Sequence, residues 1–378
     1  MNIPKIRFKE FRNEWHSCKI DDFCKILMCK RIFANETSQD YEIPFYKIGT
    51  IGGTPDTFIS KKLFDIYKIK YNYPKKGELL VTCSGTVGKC IIFDGKDSYY
   101  QDSNIVWLDN PTLKVSNRFL YYLLSRVDWS KLNSTTITRI YSNDLKQLKI
   151  NYPEKEEQNK ITNLLELLDK KIELQTKKIE ALKLFKSYTK SEIFKNGNHV
   201  CKLGAILNKW NKKNKDGAIN YVESISNKAG FIPQSEQFED RNVASKNLRN
   251  YYVIKKGVFG YNPSRLNVGS LALKENDFIS VVSPLYECFT TTQNNTYLFE
   301  WFNSNNFKKE TFSKFEGGVR NTLNFNNLCD IPINLPDIET QNQYAKYFNK
   351  INFKISLEEQ KLSELVKFKK GLLQDMFI

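Results

Sequence analysis

The segment Pro153-Glu154-Lys155-Glu156-Glu157-Gln158-Asn159 returns later in the chain as Pro336-Asp337-Ile338-Glu339-Thr340-Gln341-Asn342. The same spacing relates His16-Ser17-Cys18-Lys19-Ile20 to His199-Val200-Cys201-Lys202-Leu203. After each proline the register continues without a gap, whereas between these fixed ends the two copies match poorly. A repeat of this kind predicts two modules that share one architecture and differ in their bodies.

Each proline stands where a helix can begin, and heptad spacing of apolar residues follows it. The first copy carries Leu165, Leu168, Ile172, Ile179, Leu182 and Ile193, and the second carries Phe348, Ile351, Ile355, Leu362, Leu365, Leu372 and Met376. Polar residues interrupt both seams at matching places, Gln175 with Glu358 and Lys186 with Lys369, as in coiled coils of fixed register. The pattern predicts two long helices that pack antiparallel on each other. A helix packed only on its own module is the alternative.

The bodies between the fixed ends combine strand-like runs, such as Leu79–Cys83 and Phe278–Val282, with short helical stretches, such as Asn117–Leu124. We therefore expect an α+β fold with a pseudo-twofold internal repeat. The predicted domains are residues 1–152 and 199–335 as the two variable bodies, and residues 153–198 and 336–378 as the two repeated helices.

The charge balance favours a polyanionic partner. The chain has 58 Lys+Arg against 42 Asp+Glu in 378 residues, a formal net charge of +16. A surplus of this size favours nucleic-acid binding, although compositional drift towards lysine is an alternative. No apolar run reaches the ~20 residues of a membrane span, and the first residues have no apolar signal core, so we expect a cytoplasmic protein.

Two corresponding loops carry the residue types that contact DNA. One is residues 84–89, and the other is residues 261–269. Asn and Arg side chains read adenine and guanine edges, while lysines and backbone amides hold phosphates. The candidate DNA-binding residues are Ser84, Thr86, Lys89, Arg139, Tyr261, Asn262, Ser264, Arg265, Asn267 and Arg320. Ordinary hairpin loops, and surface salt bridges for the two arginines Arg139 and Arg320, remain alternatives.

Signals of catalysis or metal binding are weak. The chain has two histidines and eight cysteines without a Cys-x-x-Cys pair, so we expect no metal site and buried, free thiols. Ser84–Gly88 lacks the Gly-Lys-Ser/Thr end of a phosphate-binding loop. Asn262-Pro263-Ser264-Arg265 only partly resembles the Asn-Pro-Pro-Tyr motif of adenine methyltransferases. The sequence therefore predicts a protein that recognises its target and has no catalytic residues.

Two variable bodies, each followed by a helix that opens with Pro-x-x-x-x-Gln, resemble the specificity subunit of type I restriction–modification enzymes. The residues that carry this resemblance are Pro153 with Gln158, Pro336 with Gln341, the Lys-Ile-x-Leu helices and the repeated His-x-Cys-Lys starts. The resemblance covers nearly the whole chain. It implies two target-recognition domains, each reading half of a bipartite DNA site, joined by an antiparallel coiled coil.

The resemblance also implies partners. They are double-stranded DNA, two methyltransferase subunits that carry S-adenosylmethionine, and motor-nuclease subunits that use ATP and magnesium, with no cofactor in this chain and no membrane. The residues expected to form the coiled coil and support subunit docking are Ile172, Ile179, Leu182, Ile355, Leu362 and Leu365. A methyltransferase or restriction enzyme with its own catalytic site, and a coiled-coil scaffold that binds no DNA, are the competing interpretations.

Overall fold

A computed structural model describes residues 3–129, 139–195, 197–227, 229–237, 247–312 and 322–378. The chain forms two compact units: Met1–Gln175 with Lys361–Ile378 is unit 1, and Thr176–Gln360 is unit 2. The helices are α1 Lys61–Lys70, α2 Asn117–Ser125, α3 Ser142–Gln147, α4 Lys155–Ile193, α5 Gln234–Gln237, α6 Asn295–Phe302, α7 Asn305–Phe312, α8 Phe325–Cys329 and α9 Ile338–Asp375.

The strands divide into two similar series. The first series is β1 His16–Lys19, β2 Lys25–Leu27, β3 Thr37–Ser38, β4 Ile43–Tyr46, β5 Phe58–Ile59, β6 Leu79–Thr82, β7 Cys90–Ile92, β8 Tyr99–Tyr100, β9 Ile105–Asp109 and β10 Lys149–Tyr152. The second is β11 His199–Lys202, β12 Leu207–Lys209, β13 Glu223–Ser226, β14 Gly230–Pro233, β15 Tyr252–Ile254, β16 Phe259–Tyr261, β17 Leu271–Leu273, β18 Ser280–Val282, β19 Glu287–Thr291 and β20 Pro332–Leu335.

The central sheet of unit 1 has the strand order β2-β9-β6-β7, with antiparallel pairing throughout. Alternate residues of β6 enter two different cores: Leu79 and Val81 pack with Trp15 on one face, while Leu80 packs with Trp107 on the other. A strand buried on both faces needs apolar side chains at every position. This burial explains why Leu79–Val81 is a continuous apolar run, and it confirms the strand predicted there.

Unit 2 repeats this arrangement. Its central sheet has the order β12-β19-β16-β17, in which each strand is the counterpart of one in unit 1. The flanking pairs correspond as well, β1 with β10 in unit 1 and β11 with β20 in unit 2. Other parts differ: unit 1 adds a β3-β5-β4-β8 sheet, whereas unit 2 has the separate pairs β13-β14 and β15-β18. The α+β fold and the internal repeat are thus confirmed.

The local predictions hold with one change of length. Helix α2 covers the predicted stretch and begins after Ser116, whose side chain accepts a hydrogen bond from the Phe119 amide. The strand expected over Phe278–Val282 starts only at Ser280. Phe278 remains about half exposed and packs edge-on against Tyr221, with ring centroids 4.7 Å apart.

Helices α4 and α9 begin two residues after the repeated prolines, and in each unit they pack antiparallel. Within unit 2, Lys178 of α4 pairs with Glu358 at 2.9 Å, while Phe194, just beyond α4, lies against Phe348 near the start of α9. Within unit 1, Leu165 near the start of α4 shares a core with Leu372 near the end of α9. The helices therefore pack on each other, and the single amphipathic helix is excluded as an explanation of the heptads.

None of the helices in the described part of the chain has the length and apolar composition that crossing a membrane requires.

Candidate nucleic-acid interface

The loop Ser84–Lys89 connects β6 to β7 of unit 1. Gly85 and Gly88 have positive φ values of 65° and 78°, a backbone conformation that favours glycine. The Ser84 hydroxyl donates to Oδ1 of Asn104 at 2.7 Å, and the Thr86 side chain is exposed. The loop thus holds one hydroxyl in a fixed position and presents another to the solvent.

Arg139 lies beside this loop, because the amide of the next residue, Ile140, donates to the Cys83 carbonyl at 2.8 Å. The guanidinium of Arg139 lies over the exposed ring of Tyr141, 5.7 Å from its centroid. Burial raises the pKa of the Cys83 thiol to about 11, although the Arg139 cation acts in the opposite direction. The structure therefore brings Ser84, Thr86 and Arg139 together, as a shared surface for a ligand requires.

Lys89, which is expected to hold a phosphate, is exposed and has a hydrogen-bond partner within unit 1. Its ammonium group donates to the Ile51 carbonyl at 2.6 Å, in a turn that belongs to another loop of unit 1. A lysine bound to a backbone carbonyl has less freedom to follow a phosphate backbone. The ammonium group of Lys89 thus connects the predicted loop to a neighbouring loop, residues 47–54, which no motif of the sequence indicated.

The corresponding loop of unit 2 runs from Asn262 to Gly269. Oδ1 of Asn262 accepts a hydrogen bond from the Ser264 amide at 3.0 Å, and the carbonyl of Asn262 accepts one from the Arg265 amide at 3.0 Å. Ser264 and Arg265 are exposed, and Asn267 belongs to a one-turn 3-10 helix, Leu266–Val268. Asn262 thus shapes the turn and leaves the Arg265 side chain directed to the surface.

A segment that comes later in the chain also contacts this loop, because the Leu323 amide donates to the Pro263 carbonyl at 3.0 Å. Leu323 is the repeat counterpart of Ile140, and Pro263 that of Cys83 at the slightly shorter spacing that relates the two loops. Both units therefore contain the same hydrogen bond between corresponding residues. The neighbouring candidate Arg320 lies outside the described residues.

Tyr261 requires a correction. It lies in β16 with 0% of its surface exposed, and its ring packs against Phe289. Its hydroxyl has no hydrogen-bond partner among the described residues, and burial raises the pKa of Tyr261 above its usual value. A side chain in this position supports the loop from the core and cannot reach a base edge without leaving the core.

The described residues contain no group of three or more His, Cys, Asp or Glu side chains that could hold a metal ion. All eight cysteines are free, as expected, and five of them are buried. Burial raises the pKa of Cys24, Cys29, Cys90 and Cys288 to about 12, so these thiols stay protonated at neutral pH. A protonated, buried thiol is a poor nucleophile.

The six residues expected to form the coiled coil and support docking are covered to different degrees. Ile179 and Ile355 are buried, and the other four are half-buried: Ile172, Leu182, Leu362 and Leu365.

A second set of apolar residues on the helices lies outside the predicted heptad seam, and these side chains are exposed. They form two pairs at the repeat spacing, with exposed fractions of 57% and 40% for Leu174 and Leu357 and 55% and 56% for Phe185 and Phe368. Each unit carries one leucine and one phenylalanine of the set. The repeat could have indicated these residues from the sequence, because it preserves apolar residues at positions outside the heptad seam.

Comparisons with known proteins agree with this architecture. Residues 12–184 match the family model described as the type I restriction modification DNA specificity domain. A Haemophilus influenzae protein named as a type I restriction enzyme specificity subunit is 47% identical over 148 residues, which are 39% of this chain and 38% of that protein. The chain therefore matches well under half of the length of this curated relative.

Two solved structures share the fold over almost the full length. The S subunit of a type I restriction-modification system from M. genitalium aligns with a TM-score of 0.62 and 17% identity, covering 100% of this chain and 99% of that one. A chain from a structure of type I R-M complex assembly and conformational transition aligns with a TM-score of 0.56 and 13% identity, covering 96% and 97%.

Proposed function

We propose that the whole chain is the DNA-recognition subunit of a type I restriction–modification complex, since residues 12–184 match the model of the type I restriction modification DNA specificity domain. In this proposal residues 1–152 and 199–335 are two target-recognition domains, and each reads one half of a bipartite site. Residues 153–198 and 336–378 form the helices that join them. The subunit works in the cytoplasm and has no catalytic role of its own.

The observation that carries the proposal is a hydrogen bond that recurs in both units. In each unit it joins the loop after β6 or β16 to a segment that comes later in the chain. The bond from Ile140 to Cys83 in unit 1 corresponds to the bond from Leu323 to Pro263 in unit 2. Around these bonds Ser264 corresponds to Ser84, but other residues differ: Thr86 and Arg139 lie in unit 1, and Arg265 lies in unit 2. A shared backbone arrangement that presents different hydrogen-bond donors and acceptors in each unit suits two domains that recognise two different DNA sequences.

The proposed partners are those that the family resemblance implies, and the exposed apolar residues of the helices support them. Exposed leucines and phenylalanines that recur in both copies of a repeat suit a partner that binds twice. We assign Leu174, Phe185, Leu357 and Phe368 to the docking of two methyltransferase subunits, which hold S-adenosylmethionine. Motor-nuclease subunits, which use ATP and magnesium, complete the complex.

Two measurements test this function. Sequencing of methylated bases in a strain that expresses the chain with its methyltransferase should yield one bipartite motif, which disappears when the chain is deleted. The purified chain alone should transfer no methyl group, and its affinity for DNA should fall steeply with salt. Methylation that persists without the chain, or methyl transfer by the chain alone, would contradict the proposal.

A further inference from the structure

We infer that unit 1 reads DNA with a second loop, residues 47–54, and that Lys89 is the residue that positions it. This inference rests on the proposed function and adds specificity residues to it. The loop follows β4 and has the sequence Lys47-Ile48-Gly49-Thr50-Ile51-Gly52-Gly53-Thr54. Three glycines in eight residues leave much of its backbone uncovered by side chains.

The loop has a defined internal structure. The amides of Thr50 and Ile51 both donate to the Lys47 carbonyl, at 3.0 and 2.9 Å, and the Lys47 amide donates to the Thr50 hydroxyl at 3.1 Å. Ile51 is buried, with 1% of its surface exposed, and anchors the loop in the core. Lys47 pairs with Asp56 at 2.9 Å across the base of the loop. These contacts preorganise the loop in the absence of DNA.

Lys89 connects this loop to the one identified from the sequence. Its Nζ donates to the Ile51 carbonyl at 2.6 Å, next to Gly52, which has a positive φ of 72°. The two loops also touch directly, because a Cβ added to Gly85 would lie 2.7 Å from Cδ1 of Ile48. Loop 47–54 and the loop containing Ser84 and Thr86 are therefore two parts of one surface of unit 1.

Unit 2 contains the corresponding contact. Strand β13 is the counterpart of β4, at the same spacing that relates the loops after β6 and β16, and its own loop begins at Asn227. Gly269, at the end of the Asn262–Gly269 loop, is placed so that an added Cβ would lie 4.0 Å from Asn227. The hydroxyl of Ser270 donates to the Ile225 carbonyl at 3.2 Å. In both units the loop after β6 or β16 thus lies beside the loop that follows an earlier strand.

Loop 47–54 has free space where DNA would approach. A Cβ added to Gly49 would meet no atom within 4 Å, and Gly49 does not have a positive φ. Gly53 and Thr54 are exposed. The Gly53 amide already donates to the Thr50 carbonyl at 3.0 Å, so the proposed contacts to base edges or phosphates come from the Thr54 hydroxyl and from the uncovered backbone at Gly49. Gly49 can therefore be substituted without strain, which makes it a suitable probe.

The first test uses Gly49→Tyr and the matched control Gly49→Ala in the complex with the methyltransferase. Each complex selects duplexes from a random DNA library, and the enriched motif is sequenced. Gly49→Tyr should lower affinity for the selected site about tenfold or more and remove base preference at one or two positions of one half-site. Gly49→Ala should behave as wild type, and the other half-site should keep its preference in both variants.

The second test separates positioning from phosphate contact at Lys89. Lys89→Met should lose preference in the same half-site as Gly49→Tyr, and Lys89→Arg should restore it, since an arginine can also donate to the Ile51 carbonyl. The slope of log affinity against log salt should stay unchanged in Lys89→Met. A direct phosphate contact would instead reduce that slope by about 0.9 and weaken all sequences alike.

The outcomes separate this inference from the function on which it rests. If the wild-type complex selects no motif, the proposed function itself fails. In another outcome, the wild-type complex selects a bipartite motif while the Gly49→Tyr complex keeps the same motif and affinity. That result would contradict the DNA contact of loop 47–54 and leave the proposed function intact. A reduced salt slope in Lys89→Met would overturn the positioning role.

Discussion

At the scale of single residues, Gln158 and Gln341 explain why the Pro-x-x-x-x-Gln motif occurs twice. The amide nitrogen of each donates to the carbonyl of its own proline at 2.9 Å. The amide oxygen of each accepts from the backbone residue that precedes a helix, Ser116 before α2 at 2.8 Å and Asn294 before α6 at 3.2 Å. Each buried glutamine thus joins the start of a long helix to the start of a short one.

Lysines at the polar seam positions are neutralised by carboxylates within each unit. In unit 2, Lys186 and Lys190 contact the buried Glu300 of α6 at 2.7 and 2.6 Å, and Asn352 donates to the same carboxylate at 3.0 Å. In unit 1, Lys369 contacts Asp169, which also accepts from Tyr122 at 2.7 Å. Lys369 is the repeat counterpart of Lys186, and Asp169 that of Asn352. The lysine thus occupies the same position in both repeats, whereas its carboxylate partner lies on α6 in unit 2 and on α4 in unit 1.

We predict that Glu300→Gln destabilises the chain and that the effect depends on pH. Burial alone would raise the pKa of Glu300, but Lys190 and Lys186 outweigh burial and hold that pKa below its usual value. The carboxylate therefore stabilises the fold above about pH 4.3, the pKa of an unfolded glutamate, and this contribution is lost as the pH falls through the lower folded value. At pH 7 the variant should lose about 3 kcal/mol, because two partly buried lysines lose their partner.

Urea denaturation of the full chain between pH 7 and pH 3 measures this effect. The difference between wild type and Glu300→Gln should shrink as the pH falls, since the wild-type carboxylate then also becomes neutral. Asp330→Asn is the control, because the Lys202–Asp330 pair is largely exposed and surface pairs contribute little. A Glu300→Gln variant as stable as wild type at pH 7 would refute the argument.

Arg265 is predicted to read a base through its guanidinium. Arg265→Ala should weaken binding to the selected site by about 1–3 kcal/mol and relax one position of one half-site. Arg265→Lys should keep the positive charge and the salt dependence but lose the discrimination, since lysine lacks the two-pronged donor geometry. Binding to single-base variants of the motif is the measurement, with the exposed Lys212→Ala as control. Unchanged selectivity in Arg265→Ala would show that Arg265 does not contact a base.

At the scale of elements, the long helices have two sets of apolar residues that differ in exposure. The seam face, with residues such as Ile179 and Ile355, is buried within the units. Phe185 lies eleven residues after Leu174, about three turns, so both lie on one other face of α4. A helix that keeps large exposed apolar residues at a regular spacing is typical of one that binds a partner.

Phe185→Ser and Phe368→Ser test this second face. Both side chains are exposed, so neither substitution should lower the midpoint of thermal unfolding. Each single variant should bind one methyltransferase subunit in place of two, and the double variant should bind none, as counted by native mass spectrometry. Ile69→Ser, at a residue of α1 that is 88% exposed, is the control and should still bind two. Full binding by the double variant would show that the partner docks elsewhere.

At the scale of the whole molecule, the two repeats share the strand order of their central sheets and differ in the rest of their bodies. The strand order β2-β9-β6-β7 recurs as β12-β19-β16-β17, while the additional sheet of unit 1 has no equivalent order in the described part of unit 2. Each unit has its own hydrophobic cores. Cores that do not share residues allow one body to change without repacking the other.

Exchange of residues 199–335 for the corresponding part of a relative should therefore alter one half of the methylated sequence and leave the other half unchanged. The methylated motif of a strain carrying the chimera is the measurement. The reciprocal exchange of residues 1–152 is the matched control and should alter the opposite half. A chimera in which both halves change together would show that the two bodies do not read independently.

The sequence by itself determined the repeat, the two long helices, the α+β class and the strand at β6. These features depend on local periodicity or on identity at a fixed spacing, both of which can be read along the chain. The heptads of α4 and α9 set which face is buried, and prolines at positions 153 and 336 set where each helix can begin.

Only the tertiary structure decided which loop residues share a surface. Tyr261 and Arg265 lie four residues apart, yet one is in the core and the other is exposed, because β16 ends between them. Lys89 looks like a free cation in the sequence, but its partner, the Ile51 carbonyl, lies 38 residues away. Contacts between loops join residues that are distant in the chain, so no local pattern encodes them, and the packing of the two four-stranded sheets of unit 1 brings them together.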